Sequence, residues 1–303
     1  TELEISSAIE HRILQFNIES HQEFLTIEEI AREKKIKANI AIRINPDIVA
    51  GGHPKISTGK KTDKFGVSPE EAIKVYLAAK QCSYLNIVGV DMHIGSQILK
   101  IKPFENSFKK IEKFCKKLEK YKIKIKNIDI GGGLGINYSS QKIKDITTEY
   151  TKLVKNISAR TKKKIIIEPG RFIVANAGIL VTKILYKKYN DKKKFIIVDT
   201  GMNDFLRPAL YDAKHTVKQL KLDSKKNQED YFDIVGPICE TADVIMENAK
   251  LNKHIDRGDY LFVEKVGAYG STMSSTYNSR SLISEVLVSE KNFFEVRKKM
   301  KVD

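Results

Sequence analysis

Two apolar runs in this chain end in residues that can do chemistry. The first run, Ile128–Ile130, is followed by Gly131-Gly132-Gly133. Glycine lacks a Cβ and adopts positive φ readily, so a backbone can come close to a ligand there. The second run, 165–167, is followed by Glu168-Pro169-Gly170-Arg171, a carboxylate and a guanidinium at a strand end. A glycine-rich loop that could bind phosphate lies beside a Glu/Arg pair. This combination predicts a phosphorylated cofactor that also carries a basic atom for the protein to recognise.

Both runs belong to a pattern of strands that alternate with amphipathic helices. Strands are predicted at 14–18, 40–44, 87–92, 128–130 and 165–168. Between them, apolar residues recur at helical spacing at 24–31, from Ser68 onward, at 104–121 and at 150–157. Ser68 followed by Pro69 is typical of a helix start. Repeated βα units of this length predict a parallel sheet or a (β/α)₈ barrel.

After about residue 178 the pattern changes to strands joined by turns, with little helix between them. The predicted strands are 179–186, 195–199, 231–235, 260–263 and 285–289. Such a run of strands indicates a mainly antiparallel β domain. We therefore predict two domains, a barrel-type domain over 1–177 and a β domain over 178–303.

Polar or glycine residues follow five consecutive strands of the first domain. They are Glu19, Asn45, His93 with Ser96, the glycine run, and Glu168 with Arg171. In a barrel, the carboxyl ends of the strands form the active-site face. Taken singly, each has an ordinary explanation: a glycine run makes tight turns, and a histidine is often a satisfied core residue. Their recurrence at every strand end favours a site.

The second domain holds further candidates, each with an ordinary alternative. Cys239 and Glu240 follow a Gly-Pro turn, where the thiol is either reactive or inert packing. Arg207 precedes Tyr211 by four residues in a predicted loop. The pair would suit a carboxylate ligand, or it is solvated surface. Tyr269 lies in a glycine-flanked turn.

Composition excludes several classes of function. The net charge of +16 suggests nucleic-acid binding, but 45 lysines against nine arginines are spread along the chain, and the lysine runs lack interleaved aromatics. We predict no nucleic-acid partner. The chain is 41% hydrophobic, with no apolar run long enough to span a membrane. Three cysteines outside any CxxC spacing fit a reducing, cytoplasmic compartment without disulfides, and no metal site is predicted.

Taken together, the motifs closely resemble the diaminopimelate decarboxylase family, pyridoxal-phosphate enzymes of the alanine-racemase-like fold group. The matching segments run in family order along the whole chain: 43–46, 53–59, 64–66, 93–97, 131–135, 168–171, 204–211, 236–243, 267–270 and 277–280. The resemblance implies a (β/α)₈ barrel, of which about five of eight strands lie in this chain, and a C-terminal β domain.

The resemblance also implies roles in holding pyridoxal 5'-phosphate. Glu168 would bond the pyridine nitrogen, and His93 would stack on the ring face. Arg171 would lie near both the phosphate and the substrate. The remaining cofactor contacts would come from hydroxyl and backbone groups at Ser96, Gly131, Gly132, Gly133, Pro169, Gly170 and Tyr269.

Further roles implied by the family concern the substrate and a second subunit. Cys239 resembles the proton donor to the substrate carbon, contributed with Glu240 across a homodimer interface with shared sites. Lys64 and Asp243 resemble an ion pair that joins the two subunits.

The far end of the ligand decides the substrate class. Diaminopimelate carries an amino-acid group at each end, so its remote carboxylate would suit Arg207 with Tyr211, and its remote ammonium would suit Glu240. Tyr269 and Arg171 complete the implied substrate contacts. Ornithine, lysine or arginine decarboxylases of the same fold typically carry Asp after the Cys, and they remain the alternative. A non-catalytic pyridoxal-phosphate protein is the second alternative.

One departure from the family is important. The lysine that bonds the cofactor, expected in a Tyr-x-x-Lys-Ala-Asn segment, is not found in these residues. The chain begins with Thr1 rather than Met, and the resemblance aligns Thr1 just after the expected third strand of the barrel. We therefore expect these residues to be most of a longer enzyme, inactive by themselves.

Overall fold

The computed structural model describes residues 1–48, 64–138, 144–220 and 228–300. It divides into two compact units, which we describe one at a time. The first contains Thr1–Ile136 and Ile143–Arg171, and the second contains Asn137–Lys142 and Phe172–Asp303. The domain boundary predicted at residue 177 stays a proposal. The family-like segment 53–59 lies outside the described residues.

The first unit contains a five-stranded parallel sheet whose strand order follows the chain. Its strands are β1 (Phe16–Ile18), β2 (Ala38–Arg43), β3 (Leu85–Asp91), β4 (Asn127–Asp129) and β5 (Lys164–Ile166). Each neighbouring pair is parallel, so all five carboxyl ends lie along one edge. This confirms the predicted parallel-strand part of a barrel.

Among the described residues of this unit, five helices accompany the strands: α1 (Glu2–Glu10), α2 (His21–Lys34), α3 (Pro69–Ala79), α4 (Ile101–Lys120) and α5 (Thr147–Thr161). The short helix α6 (Gly170–Val174) begins in the first unit and ends in the second. Ser68 caps α3 as predicted, because its side chain accepts from the Glu71 N–H at 3.1 Å. The predicted apolar face of α4 is buried. The sequence pattern did not predict α1, whose N-terminus Thr1 and Glu4 cap reciprocally.

A buried tyrosine fastens α3 to the sheet. The Tyr76 hydroxyl donates to the Gly89 carbonyl at 2.7 Å and accepts from the Ile42 N–H at 3.2 Å. The pairing of β2 with β3 shifts register at the same place, between Ile40 and Ala41. One hydroxyl thus bonds a backbone group of each strand at the irregular pairing.

The second unit contains a six-stranded mixed sheet, with strands β6 (Leu180–Tyr189), β7 (Lys194–Val198), β8 (Val217–Gln219), β9 (Glu229–Val235), β10 (Val244–Asn252) and β11 (Tyr260–Val263). Their order in the sheet is β10-β9-β7-β6-β11-β8. In this sheet β7 and β9 pair in parallel, and the other neighbouring strands are antiparallel. A separate antiparallel hairpin joins β12 (Glu285–Ser289) to β13 (Asn292–Arg297). The mainly antiparallel β domain is confirmed, while β8, β10 and β13 were not predicted.

One local prediction in the second unit was wrong. The segment that carries Arg207 and Tyr211 was predicted to be a loop, but it forms the one-turn helix α7 (Arg207–Tyr211). Pro208 lies in its first turn, where a missing N–H costs nothing. Among the described helices, none combines the length and the apolar composition that crossing a bilayer requires.

Candidate functional site

Charged side chains meet at the carboxyl edge of the parallel sheet. Arg43, the last residue of β2, donates to the Glu19 carboxylate at 2.5 Å, and its Nε lies 3.9 Å from Asp91 Oδ2. Asp91 is only 3% exposed, and burial, followed by the neighbouring Asp129, raises its pKa well above the usual value. Charged groups of both signs therefore lie together in low-dielectric surroundings where these strands end.

Sequence reasoning did not select Asp91 or Asp129 as site residues. Each precedes a selected residue by two positions, since His93 follows Asp91 and Gly131 follows Asp129. Residues two apart point to the same face of a strand. An aspartate inside an apolar strand, two residues before a candidate, was therefore the signal available in the sequence.

The glycine run is held by hydrogen bonds to the protein itself. The Gly131 N–H donates to Asp129 Oδ1 at 3.0 Å, and the Gly132 N–H donates to His93 Nδ1 at 3.0 Å. Gly131 has φ +64°, and a Cβ built on Gly132 would lie 2.2 Å from the Glu168 carbonyl oxygen. Two of the three N–H groups thus donate to protein acceptors in this structure. The assignment of Gly131, Gly132 and Gly133 to a phosphate stays a prediction.

This bond defines the state of the His93 ring. Because Nδ1 accepts from a backbone N–H, the proton of the neutral ring is on Nε2. Burial, and then the charge of Arg43, lowers the pKa of His93 to about 4. A neutral, partly buried imidazole at a strand end suits stacking on an aromatic ring.

His93 also makes stability depend on pH in a calculable direction. The pKa of His93 in the folded state is about 4, below the ordinary 6.5. As the pH falls, the unfolded chain therefore takes up the proton before the folded chain does. We expect stability to hold above about pH 6.5 and to fall as pH decreases towards 4, with His93 contributing up to about 3 kcal/mol of that loss. The free energy of unfolding, measured by urea unfolding at pH 7.5 and at pH 4.5, tests this prediction.

The control for this prediction is His93→Gln, which has no imidazole to titrate. The carboxylates titrate in both proteins, so the difference between them isolates His93. If the two proteins lost the same free energy of unfolding between these pH values, the prediction would be wrong.

Glu168 and Arg171 follow β5 at the carboxyl edge of the same parallel sheet. The Glu168 side chain is exposed, and its N–H donates to the Gly131 carbonyl at 2.9 Å. Partial burial of the carboxyl group, and then Asp129, raises the pKa of Glu168. Arg171 is 7% exposed, with Nε and Nη2 at 3.4 and 3.3 Å from Ser96 Oγ. The fold thus brings together His93 and Ser96, which follow β3, with Glu168 and Arg171, which follow β5.

These residues fit pyridoxal phosphate as a cofactor. A flat imidazole can cover one ring face, and a carboxylate can accept from the ring nitrogen. A hydroxyl bonded to a buried guanidinium can bind the phosphate dianion. Pro169 and Gly170 follow Glu168, and a Cβ on Gly170 would meet nothing within 4 Å, so this backbone borders open space.

The second unit brings a thiol and a carboxylate together. Cys239 is exposed, and its Sγ lies 3.4 Å from Asn278 Nδ2. The Tyr277 hydroxyl donates to the Glu240 carboxylate, and this bond is the first cause of the raised pKa of Tyr277. All three cysteines of the chain are free. Within the described ranges, His, Cys, Asp and Glu side chains form no group of three that could hold a metal ion.

Asp243 has a structural role within its own unit. It is 3% exposed, and its carboxylate accepts from the N–H groups of Met202 at 2.6 Å and Ile238 at 2.7 Å. It therefore organises the turn that presents Cys239. Lys64, in the other unit, is exposed, with Nζ 5.3 Å from the centroid of the Phe65 ring. The ion pair between Lys64 and Asp243 stays a prediction.

Arg207 lies among aromatic rings of the second unit. Its side chain is 6% exposed, and its Cζ lies 5.1 Å from the ring centroid of Tyr138. The centroids of Tyr211 and Tyr269 are each 6.0 Å away. The structure thus joins three predicted residues and adds Tyr138, which sequence reasoning missed. Tyr138 precedes Arg207 by more than sixty residues, so no local pattern connects them.

Comparison with known proteins defines first a class and then a family. Residues 1–175 match the family model described as "Pyridoxal-dependent decarboxylase, pyridoxal binding domain". The chain is therefore a member of the pyridoxal-phosphate-dependent decarboxylases. It is 43% identical over 303 residues to the diaminopimelate decarboxylase of Aquifex aeolicus. The alignment covers 100% of this chain and 71% of that protein. The chain belongs to the diaminopimelate decarboxylase family.

Solved structures agree with this assignment. The crystal structure of diaminopimelate decarboxylase from Helicobacter pylori complexed with L-lysine matches with a TM-score of 0.93 and 42% identity, covering 100% of this chain and 74% of that one. The enzyme from M. jannaschii in complex with L-lysine gives a TM-score of 0.91 and 38% identity, covering 99% and 70%. A lysine/ornithine decarboxylase from Vibrio vulnificus, at 21% identity and a TM-score of 0.76, shares the fold.

Proposed function

We propose that this chain forms most of an enzyme that decarboxylates meso-2,6-diaminopimelate to L-lysine and CO₂, the last step of lysine biosynthesis. The observation that carries the proposal is the match to diaminopimelate decarboxylases at 38–43% identity, over essentially the whole chain. That match covers both residue clusters, the one around Glu168 and the one around Arg207. The cofactor is pyridoxal 5'-phosphate.

The bound cofactor supplies an electron sink for the charge left on the substrate carbon when CO₂ departs. When the cofactor is bound, Glu168 would accept a hydrogen bond from the protonated ring nitrogen, and His93 would cover the ring face. Ser96, Arg171 and the glycine run would hold the phosphate, and the family resemblance adds Tyr269 to these contacts. Arg171 also lies at the substrate.

The proton step and the recognition of the substrate belong to the second unit. The Cys239 thiol returns a proton to the substrate carbon from which CO₂ left. Glu240, oriented by the Tyr277 hydroxyl, binds the remote ammonium group. Arg207, with Tyr211, binds the remote carboxylate through charge-assisted hydrogen bonds.

A substrate comparison tests this assignment. The cofactor-loaded enzyme is assayed with meso-diaminopimelate, L-lysine, L-ornithine and L-arginine, and we expect turnover of the first alone. Arg207→Ala should raise the KM for diaminopimelate by about 10- to 150-fold, because it removes a hydrogen bond to a charged group worth about 1.5–3 kcal/mol. Arg160→Ala, which removes an exposed pair with Glu112, should leave KM unchanged.

Each alternative function predicts a different result of that assay. Preference for lysine, ornithine or arginine would identify an amine-forming decarboxylase of the same fold. Cofactor binding without turnover of any of the four amino acids would identify a non-catalytic pyridoxal-phosphate protein.

We further propose that these 303 residues do not catalyse the reaction by themselves. The Tyr-x-x-Lys-Ala-Asn segment expected to bond the cofactor is not among them. The polypeptide as printed, purified and mixed with pyridoxal phosphate and diaminopimelate, should release no CO₂ above the rate of free cofactor. Robust turnover would contradict this proposal.

The working assembly that we propose is a cytoplasmic homodimer with shared active sites, in which Lys64 of one subunit pairs with Asp243 of the other. A carboxylate has about four acceptor positions, so Asp243 can accept from Lys64 while it holds its backbone partners. Sedimentation of the wild type and of Lys64→Ala tests the dimer, which the variant should weaken.

A further inference from the structure

A buried histidine of the second unit contacts Arg207 directly. His215 is 3% exposed, and the Arg207 Nε–H donates to its Nε2 at 3.2 Å. On the opposite side of the ring, His215 Nδ1 lies 3.0 Å from the Glu264 carbonyl oxygen. The imidazole therefore connects a guanidinium to the backbone at the end of β11.

These two partners determine the tautomer of His215. A guanidinium can only donate, so Nε2 must accept; a carbonyl can only accept, so Nδ1 must carry the proton. The ring is consequently neutral, with one acceptor aimed at Arg207 and one donor aimed at the backbone. Protonation of Nε2 would place two donors face to face.

Aromatic packing fixes the ring further. The centroids of Tyr138 and Phe205 lie 4.6 and 4.8 Å from that of His215, with Phe205 edge-on. Tyr138 also lies under the Arg207 guanidinium, so one phenol ring supports both partners. The Tyr138 backbone carbonyl accepts from the Thr216 hydroxyl at 3.3 Å, so the backbone of Tyr138 is bonded to the residue after His215.

We propose that His215 is a positioning residue that sets the selectivity for a substrate with a remote carboxylate. It accepts from Nε of Arg207 and so restrains rotation of the guanidinium plane about the last side-chain bonds. The two terminal amino groups, with four of the five N–H donors, then keep the fork geometry that matches a carboxylate. A fork oriented in advance loses less conformational freedom when the ligand arrives.

This inference rests on the proposed function, because it requires that Arg207 reads the remote carboxylate. A merely structural role for His215 would predict lost stability with no change in the discrimination between ligands. The two roles therefore separate in a measurement of relative affinity.

Two substitutions test the two hydrogen bonds of His215 separately, because each variant keeps one bond and loses the other. In His215→Gln the side-chain carbonyl reaches the position of Nε2 and keeps an acceptor for Arg207. In His215→Asn the shorter amide reaches only the position of Nδ1 and keeps the donor to the Glu264 carbonyl. The probes are L-lysine and 1,5-diaminopentane as inhibitors of the cofactor-loaded enzyme, which carry the same two amino groups and differ by one carboxylate.

We expect His215→Asn to weaken inhibition by L-lysine by about tenfold and to change inhibition by 1,5-diaminopentane by less than about twofold. His215→Gln should remain within about threefold of the wild type for both. Equal losses for the two inhibitors, or equal effects of Asn and Gln, would overturn the inference. Thermal unfolding of both variants reports stability separately.

Arg207→Ala distinguishes failure of the inference from failure of the proposed function. If this variant lost the preference for L-lysine and His215→Asn kept it, the inference alone would fail. If Arg207→Ala itself kept the preference, the carboxylate role of Arg207 would be wrong.

Discussion

Glu168→Gln is expected to lower kcat by about 10²–10⁴-fold, the range that a positioned proton-holding side chain contributes. Glutamine keeps the shape of the side chain but has no charge with which to keep the ring nitrogen protonated. Partial burial and then Asp129 raise the pKa of Glu168 in this structure, and a protonated ring nitrogen beside the carboxylate would oppose that shift. Steady-state decarboxylation of diaminopimelate at saturating cofactor measures the loss.

The control for the Glu168 variant is Glu149→Gln. It neutralises a glutamate of α5 whose carboxylate forms a solvent-exposed ion pair with Lys144. It should leave kcat unchanged, because an exposed pair contributes little. Glu168→Asp keeps the negative charge on a shorter side chain, whereas Glu168→Gln keeps the length without the charge. If the charge is decisive, the aspartate variant should retain more activity than the glutamine variant. A fully active Glu168→Gln enzyme would disprove the role of Glu168 at the ring nitrogen.

Gly132→Ala is expected to destabilise the fold by about 3 kcal/mol or more, the upper part of the range for overpacking. Its Cβ would lie 2.2 Å from the Glu168 carbonyl oxygen, a backbone atom that cannot swing away. Relief would require β4 and β5 to separate at the strand ends that carry Glu168 and the His93 contact. The free energy of unfolding and the affinity for pyridoxal phosphate should therefore both fall.

Gly170→Ala is the matched control for this effect. A Cβ at Gly170 would meet nothing within 4 Å, and neither Gly132 nor Gly170 has the positive φ that would strain an alanine. The control should thus stay within about 0.5 kcal/mol of the wild type in urea unfolding. Equal destabilisation by the two alanines would refute the steric argument.

The two predictions depend on different kinds of information. The pattern of strands and helices predicted that Glu168 lies at a strand end, because apolar periodicity and turn residues are local properties. The contact between Gly132 and the Glu168 carbonyl depends on two strands that are far apart in the chain. Sequence patterns contain no distance between them.

By itself, the sequence determined the parallel βα arrangement, the β domain, the family and most of the residues proposed for the site. Hydrophobic periodicity and glycine or proline positions act over a few residues, and family motifs can be read in order along the chain. For the same reason the short helix α7 was mistaken for a loop: one helical turn contains too few residues to show a period.

Only the tertiary structure decided which side chains hold the site residues in place. It paired Arg43 with Glu19, placed the Gly132 N–H on His93 Nδ1, and set His215 and Tyr138 against Arg207. These contacts join residues 8 to 69 positions apart in the chain. Hydrogen bonds and ring contacts require approach within a few ångströms, and that approach is produced by the packing of strands and loops rather than by any pattern along one of them.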